Sequence, residues 1–290
     1  MTPAHTPLSS ALTPPAILAP ATTLFSTRAA RMRALASGHA LGDWLAWLAR
    51  LFEAQQNLAE QLPAFTLPIV SAPQMPLLAA HRATLLARAK EILPRLAQSF
   101  PSVAMPTGDE LDARLAAGLS RAAAQPDTAP AEACDFIIAA ALQVVWADAA
   151  HQALPGFRQP TAVPAAACPC CGSAPHASLV YAGEGKDGLR YLECSLCATR
   201  WNAIRARCTH CDTGEVVQYF GLEGGSEAVR AEACDTCHSY IKTFFPKHDS
   251  QIDPQADDLA TLALDVLVGE QGYARSTPNL FLGAGEAVPA

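Results

Sequence analysis

Eight of the ten cysteines in this 290-residue chain form four Cys-x-x-Cys pairs, and the pairs repeat as two copies of one unit. The copies are Cys168, Cys171, Cys194, Cys197 and Cys208, Cys211, Cys234, Cys237, each reading C-x2-C-x22-C-x2-C. A shift of forty residues superposes all four cysteines of one on those of the other, together with Gly185 on Gly225 and Arg190 on Arg230. Self-similarity at a fixed offset marks an internal duplication. Tetrahedral coordination by four thiolates needs ligands from two separate turns, which is what each copy supplies.

Two residues between cysteines let one turn present both sulfurs to the same side, and the longer interval suffices for a hairpin. Residues 178–182 and 189–193 read as strands around Gly183, Gly185 and Gly188; the second copy repeats this with 216–222, Gly224, Gly225 and 228–233. Each unit therefore reads as a zinc-ribbon-like or rubredoxin-like pair of knuckles. Disulfide staples fit poorly with regular Cys-x-x-Cys turns in a chain without a secretory start. A thioredoxin-type pair would need strands alternating with helices around it.

Zinc and iron both accept such sites, and on the residues alone zinc is favoured. Gly172, after the second cysteine of the first knuckle, suits a turn that aims N–H groups at sulfur; Asp212 replaces it in the second copy. Cys170 occupies a variable position within the first knuckle, matched by His210 in the second, and Cys134 reads as an inert core residue on an apolar helical stretch. His210 and His238 flank ligand cysteines but are not expected to bind metal, because four thiolates already close each site.

Half of the residues are apolar and the net charge is −7, so a sizeable core is expected and nonspecific binding to nucleic acid is not. Lys186, Arg190, Arg200, Arg205 and Arg207 are expected to offset the charge of the thiolate cages. A nucleic-acid face would have to rely on Tyr181, Tyr191 and Trp201. Pro3, Pro7, Pro14, Pro15 and Pro20 precede the first Lys or Arg, which is Arg28, and this is unlike an export signal. The most apolar stretch, 136–147, is bounded by Asp135 and Asp148 and reads as too short for a bilayer. No membrane insertion and a cytoplasmic location are therefore expected.

Apolar residues recur at helical spacing in 24–36, 41–62, 76–98, 109–124 and 131–154, with Pro63, Pro101 and Pro126 at the breaks. The series Trp44, Leu48, Leu51 and Phe136, Ile137, Ala140, Val144 read as core stripes. Asp253 and Pro254 start a further helix ending near Gly269, with Asp257 and Asp258 as dipole complements and Leu259, Leu262, Ala263, Val266 and Leu267 on one side. The expected fold is α+β and multidomain: an N-terminal all-α helical bundle, two tandem rubredoxin-like or zinc-ribbon-like small β modules, and a C-terminal helix. The expected divisions are an irregular arm over 1–22, a helical domain over 23–155, a linker over 156–167, metal modules over 168–205 and 206–246, and a helix and tail over 247–290.

Several segments resemble the formate dehydrogenase accessory proteins of the FdhE type. They are 168–172, GLRYLECSLCATRW at 188–201, AEACDTC at 231–237 and DPQADDLATLALD at 253–265. Leu24, Phe25, the Arg28–Arg31 segment, Gly38, His39, Ala54 and Gln55 are similar as well. The resemblance covers nearly the whole chain and is weakest over about 63–130. It implies a non-enzymatic cytoplasmic assembly factor, a chaperone whose partner is the catalytic subunit of respiratory formate dehydrogenase during maturation. It also implies iron in both quartets, with zinc as the alternative, and it admits a homodimer. A rubredoxin-like electron carrier and a zinc-ribbon interaction module are the rival readings. Cys170 departs from the usual residue in the knuckle and leaves room for alternative ligation or oxidation.

Overall fold

The most apolar segment becomes the axis of the helical half. In the computed structural model, which describes residues 16–63, 67, 75–125, 132–155, 157, 165–181, 188–205, 207–214, 217–276 and 279–283, this is helix α5 (Ala133–Ala153). Its residues are buried almost all round, as expected of a helix with no polar face. Against it pack α2 (Gly42–Gln61), α3 (Arg82–Ala97) and α4 (Gly108–Ala122), and α1 (Leu24–Ala36) packs in turn on α2. Each turns an apolar stripe inward: Phe25, Ala29 and Met32 from α1, and Leu45, Leu48, Phe52 and Leu58 from α2. The 136–147 stretch is thus part of a longer helix. By length and composition alone this helix, 21 residues long, could cross a bilayer, but 89% of its most apolar window is buried inside the protein. Capping by Glu132 and Asp135 closes its N-terminus.

The strands form one sheet. They are β1 (Ile17–Leu18), β2 (Pro175–Val180), β3 (Arg190–Cys194), β4 (Arg200–Ala203), β5 (Val217–Phe220), β6 (Val229–Cys234), β7 (Ser239–Phe244) and β8 (Ala274–Arg275). The duplication is visible as two antiparallel three-stranded units, β2-β3-β4 and β5-β6-β7, each with a strand after its second knuckle that the sequence reading omitted. The units join where β2 runs parallel to β7, with Ser178 opposite Thr243 and Leu179 opposite Phe244. At one end β1 pairs antiparallel with β4, so the arm over 1–22 is not wholly irregular. β8 pairs with β7 beside the join.

One continuous core runs from the helices into the first unit and includes Cys168, Cys194, Cys197, Leu192 and Trp201. A smaller core holds the second unit against the C-terminal segment through Ala231, Ala233, Tyr240, Phe244, Leu264 and Val268. That segment is two helices, α6 (Pro254–Ala260) and α7 (Leu262–Glu270), where the sequence suggested one. Asp253 caps α6 by accepting from Ala256 N at 2.9 Å. Lys242 Nζ donates to the carbonyls of Asp258 (2.8 Å) and Thr261 (3.0 Å), and the helix breaks at Thr261. The break resets the helical phase: Leu264 and Val268 are buried, whereas Val266 and Leu267 are exposed, contrary to the single apolar side read from the sequence.

Candidate metal centres

The knuckles share a backbone pattern of two hydrogen bonds. The N–H of the first cysteine donates five residues ahead, from Cys168 to Ser173 O (2.8 Å), Cys194 to Thr199 O (3.0 Å) and Cys208 to Thr213 O (2.9 Å). The amide after the second cysteine donates back to the first, from Gly172 to Cys168 O (2.9 Å), Asp212 to Cys208 O (3.1 Å) and His238 to Cys234 O (2.9 Å). Left-handed backbone lets the chain turn back this way, and φ is +83° at Gly172, +53° at Ala198, +58° at Asp212 and +52° at His238. The feature that the sequence showed only at Gly172 is therefore present four times. Three of the four positions carry side chains, at a cost of roughly 1–2 kcal/mol each.

The turns aim amides at sulfur. Cys194 Sγ accepts from Leu196 N (3.4 Å) and Cys197 N (3.5 Å), and Cys208 Sγ accepts from His210 N (3.4 Å). Across each site the sulfurs approach in pairs: Cys168 and Cys197 at 3.6 Å and Cys171 and Cys194 at 3.3 Å in the first, Cys208 and Cys237 and likewise Cys211 and Cys234 at 3.7 Å in the second. All four sulfurs of each quartet lie within 4.8 Å of one another. A tetrahedral ion with metal–sulfur bonds of about 2.3 Å requires edges of roughly 3.8 Å, so both quartets fit a four-thiolate metal.

One partner of the sulfurs was missed in the sequence although the duplication carries it. Thr199 Oγ1 lies 3.1 Å from Cys197 Sγ, and forty residues on Ser239 Oγ lies 3.0 Å from Cys237 Sγ. With the sulfur ionised, the hydroxyl is the donor. Cys170 is buried beside the first quartet, where a hydrogen bond to Cys197 and burial raise its pKa well above the usual thiol value. His210 and His238 are exposed and are not among the converging ligand atoms. Cys134 is buried, and Arg114 Nη1 donates to its sulfur at 3.3 Å.

The two quartets differ in cover. Cys168, Cys194 and Cys197 are 1%, 1% and 0% exposed and Cys171 is half-buried, whereas Cys211 is exposed and Cys237 half-buried in the second quartet.

Three family models tile the chain. "FdhE, N-terminal" matches residues 13–162, "FdhE, central domain" 167–205 and "FdhE, C-terminal domain" 206–282. The chain belongs to the FdhE family. It is 36% identical to a protein FdhE homolog of Pseudomonas putida over 96% of this chain and 93% of the relative. A protein FdhE homolog of Edwardsiella ictaluri is 38% identical, over 91% and 89% respectively. The crystal structure of the FdhE protein from Pseudomonas aeruginosa superposes with a TM-score of 0.75 at 33% identity, covering 94% of this chain and 100% of that one.

In this FdhE-family chain the basic residues of the cysteine-rich half serve carboxylates more than sulfurs, which corrects the expectation from sequence. Buried Arg190 Nη2 lies 2.9 Å from Glu232 Oε1 and joins the two units, while its Nη1 donates to Arg207 O at 2.7 Å. Arg200 Nη2 lies 2.7 Å from Glu193 Oε2, and Arg207 lies 3.4 Å from Asp212. Arg205 lines an open cavity of about 320 Å³ with Tyr219, Glu227, Arg230, Phe245 and His248. Lys186, Gly183 and Gly185 lie outside the described residues. Trp201 and Tyr191 are buried, so they form no exposed stacking face.

Asp257 and Asp258 are not mere dipole complements either. Arg31 Nη2 lies 2.6 Å from Asp257 Oδ1, and fully buried Lys242 Nζ lies 3.0 Å from Asp258 Oδ1, with Arg275 on the other oxygen. Arg28 in α1 meets Glu193 at 2.9 Å and Asp253 at 3.9 Å. The C-terminal segment thus ties α1 to both metal-binding units.

Proposed function

We propose that the chain is a cytoplasmic accessory factor for respiratory formate dehydrogenase that binds the catalytic subunit during its maturation, with one iron ion in each cysteine quartet. The observation that carries this reading is membership of the FdhE family across 13–282 with both quartets converging within 4.8 Å. Bound iron would supply a one-electron couple; zinc in the same thiolates would be structural. Cys168, Cys171, Cys194 and Cys197 hold the first ion, and Cys208, Cys211, Cys234 and Cys237 the second. The chain's own residues close the knuckles, direct amides and hydroxyls at the sulfurs, and present the helical half as a surface for the client. No catalytic step is assigned to the chain itself.

Deleting the gene in its host should abolish formate dehydrogenase activity, and the intact chain should restore it and co-purify with the catalytic subunit. Cys194→Ser with Cys197→Ser should lower both metal content and restored activity. Full restoration by the metal-depleted variant would separate the quartets from the accessory role. Elemental analysis of anaerobically purified protein distinguishes two iron atoms, with colour bleached on reduction, from colourless zinc.

A further inference from the structure

We propose that the two quartets have different tasks: the second is the exchange site, where an outside ligand reaches the ion, and the first is locked by the helical half. This deepens the reading above and rests on both quartets binding metal. Removing an ion from four thiolates proceeds by ligand exchange. An incoming chelating donor would take the coordination positions one after another, each of the four sulfurs leaving in turn as a thiolate that water can protonate, and the ion would depart bound to the chelator once the last sulfur is displaced. The step needs no oxidant or reductant, but it needs a sulfur that can move away and a path for the donor.

The first quartet restricts both: three of its sulfurs are buried and Cys171 is half-buried. Its knuckle at 168–171 is held from outside, as Leu77 N donates to Pro169 O at 3.1 Å and Leu78 N to Cys170 O at 2.8 Å. The opposite knuckle is held by α5 and by the end of α4: Gln143 Nε2 donates to Ser195 O and Ser195 Oγ donates to Ala122 O, each at 2.9 Å. Its sulfurs belong to the continuous core, and opening it requires separating the β unit from the helices.

The duplication places different residues at the equivalent points of the second quartet. Thr209 and His210 replace Pro169 and Cys170, and Asp235 replaces Ser195. His210 and Asp212 are exposed, as is Cys211 between them. Among the described residues the other knuckle is tied to strand and turn residues, through Gln218 Nε2 to Asp235 (2.8 Å), Tyr273 to Asp235, and Ala274 N to His238 O (2.8 Å), and to no helix of the bundle. Cys211 can therefore swing outward without disturbing either core, and a client reaching the protein at this face meets the ion directly.

The test uses the full chain loaded with two zinc ions and challenged with excess chromogenic pyridylazo chelator. The expected record has two phases of one equivalent each, separated at least about tenfold in rate, which corresponds to about 1.4 kcal/mol in activation free energy. Cys211→Ser should remove the fast equivalent and leave the slow one. On the loaded wild-type chain, N-ethylmaleimide mapped by mass spectrometry should modify Cys211 and Cys237 before Cys168, Cys194 and Cys197. Two ions leaving at one rate, a fast equivalent that survives Cys211→Ser, or earlier modification of the first quartet overturns this proposal alone. A chain that takes up no ion overturns the metal reading with it.

Discussion

Glu193 stands where three parts of the chain meet, and its replacement by glutamine gives a sharp test of what holds them. Its Oε1 accepts from Arg28 Nη2 at 2.9 Å and faces His176 Nε2 at 3.2 Å, while Oε2 accepts from Arg200 Nε at 2.7 Å. Glutamine keeps the shape but turns one acceptor into a donor that opposes a guanidinium. Arg28 and Glu193 are each 1% exposed, so the variant leaves a buried cation with Asp253, at 3.9 Å, as its remaining carboxylate. Breaking a buried pair by removing one partner costs about 3–5 kcal/mol; because Asp253 remains and Arg200 is partly exposed, the lower end applies. A loss of about 3 kcal/mol in a chain of this size lowers Tm by roughly 6 °C.

The sign of the pH dependence follows from the same geometry. Burial alone would raise the pKa of Glu193, but Arg200, His176 and Arg28 outweigh it and hold the carboxyl well below the usual carboxylate range. A depressed folded pKa contributes stability that is present above the unfolded value of about 4.3 and is lost as pH falls through the folded value. The Tm gap between wild type and Glu193→Gln, measured by calorimetry on metal-loaded protein, should therefore be full near neutrality and narrow below about pH 4. Replacing both partners, as Arg28→Met with Glu193→Leu, should recover only part of the loss, because it removes the isolated guanidinium but takes the facing charge from Arg200 and from buried Asp253. A Tm within about 1 °C of wild type, or a gap that persists unchanged into acid, would refute the reasoning.

Two further outcomes are expected. Thr199→Val and Ser239→Ala remove the hydroxyl beside Cys197 and Cys237 and should weaken metal retention at their own site by about 10–100-fold, read by competition with a chelator, leaving the other site unchanged. Gly172→Ala puts a side chain on left-handed backbone and a Cβ 3.1 Å from Pro76 Cγ, so denaturant unfolding should show a loss of at least about 1–2 kcal/mol. Gly214→Ala, with open space around it, is the control expected to change little.

The cysteine spacing and the helical periodicity were legible because each depends on neighbours along the chain. What escaped depends on distant partners. Lys242 in SYIKTF draws no notice in the sequence, because the carboxylates that allow its burial, Asp258 and Asp265, come from beyond its own strand. Asp257 and Asp258 look like ordinary first-turn acids because Arg31 and Arg275 lie in other elements. Val266 and Leu267 were assigned to the wrong face because nothing local announces the break at Thr261. Left-handed backbone at Ala198 is hidden by a side chain that rarely signals it. Thr199 and Ser239 could have been found, since the same forty-residue shift that aligns the cysteines aligns them.

The seam between β2 and β7 joins the first strand of one unit to the last strand of the other, and the two strands run in the same direction. The halves are therefore related by something close to a translation, not by a twofold axis. At a twofold seam the same patch of each copy meets the other, so that residue i faces j while j faces i, and a change in one copy is felt by the same patch of its partner. A head-to-tail seam imposes no such pairing. Leu192 was free to become Glu232, and Glu193 to correspond to Ala233, with each copy answering only to what lies on its own side. In that arrangement a duplicated module acquires two unlike surroundings, with one copy embedded among helices and the other facing outward.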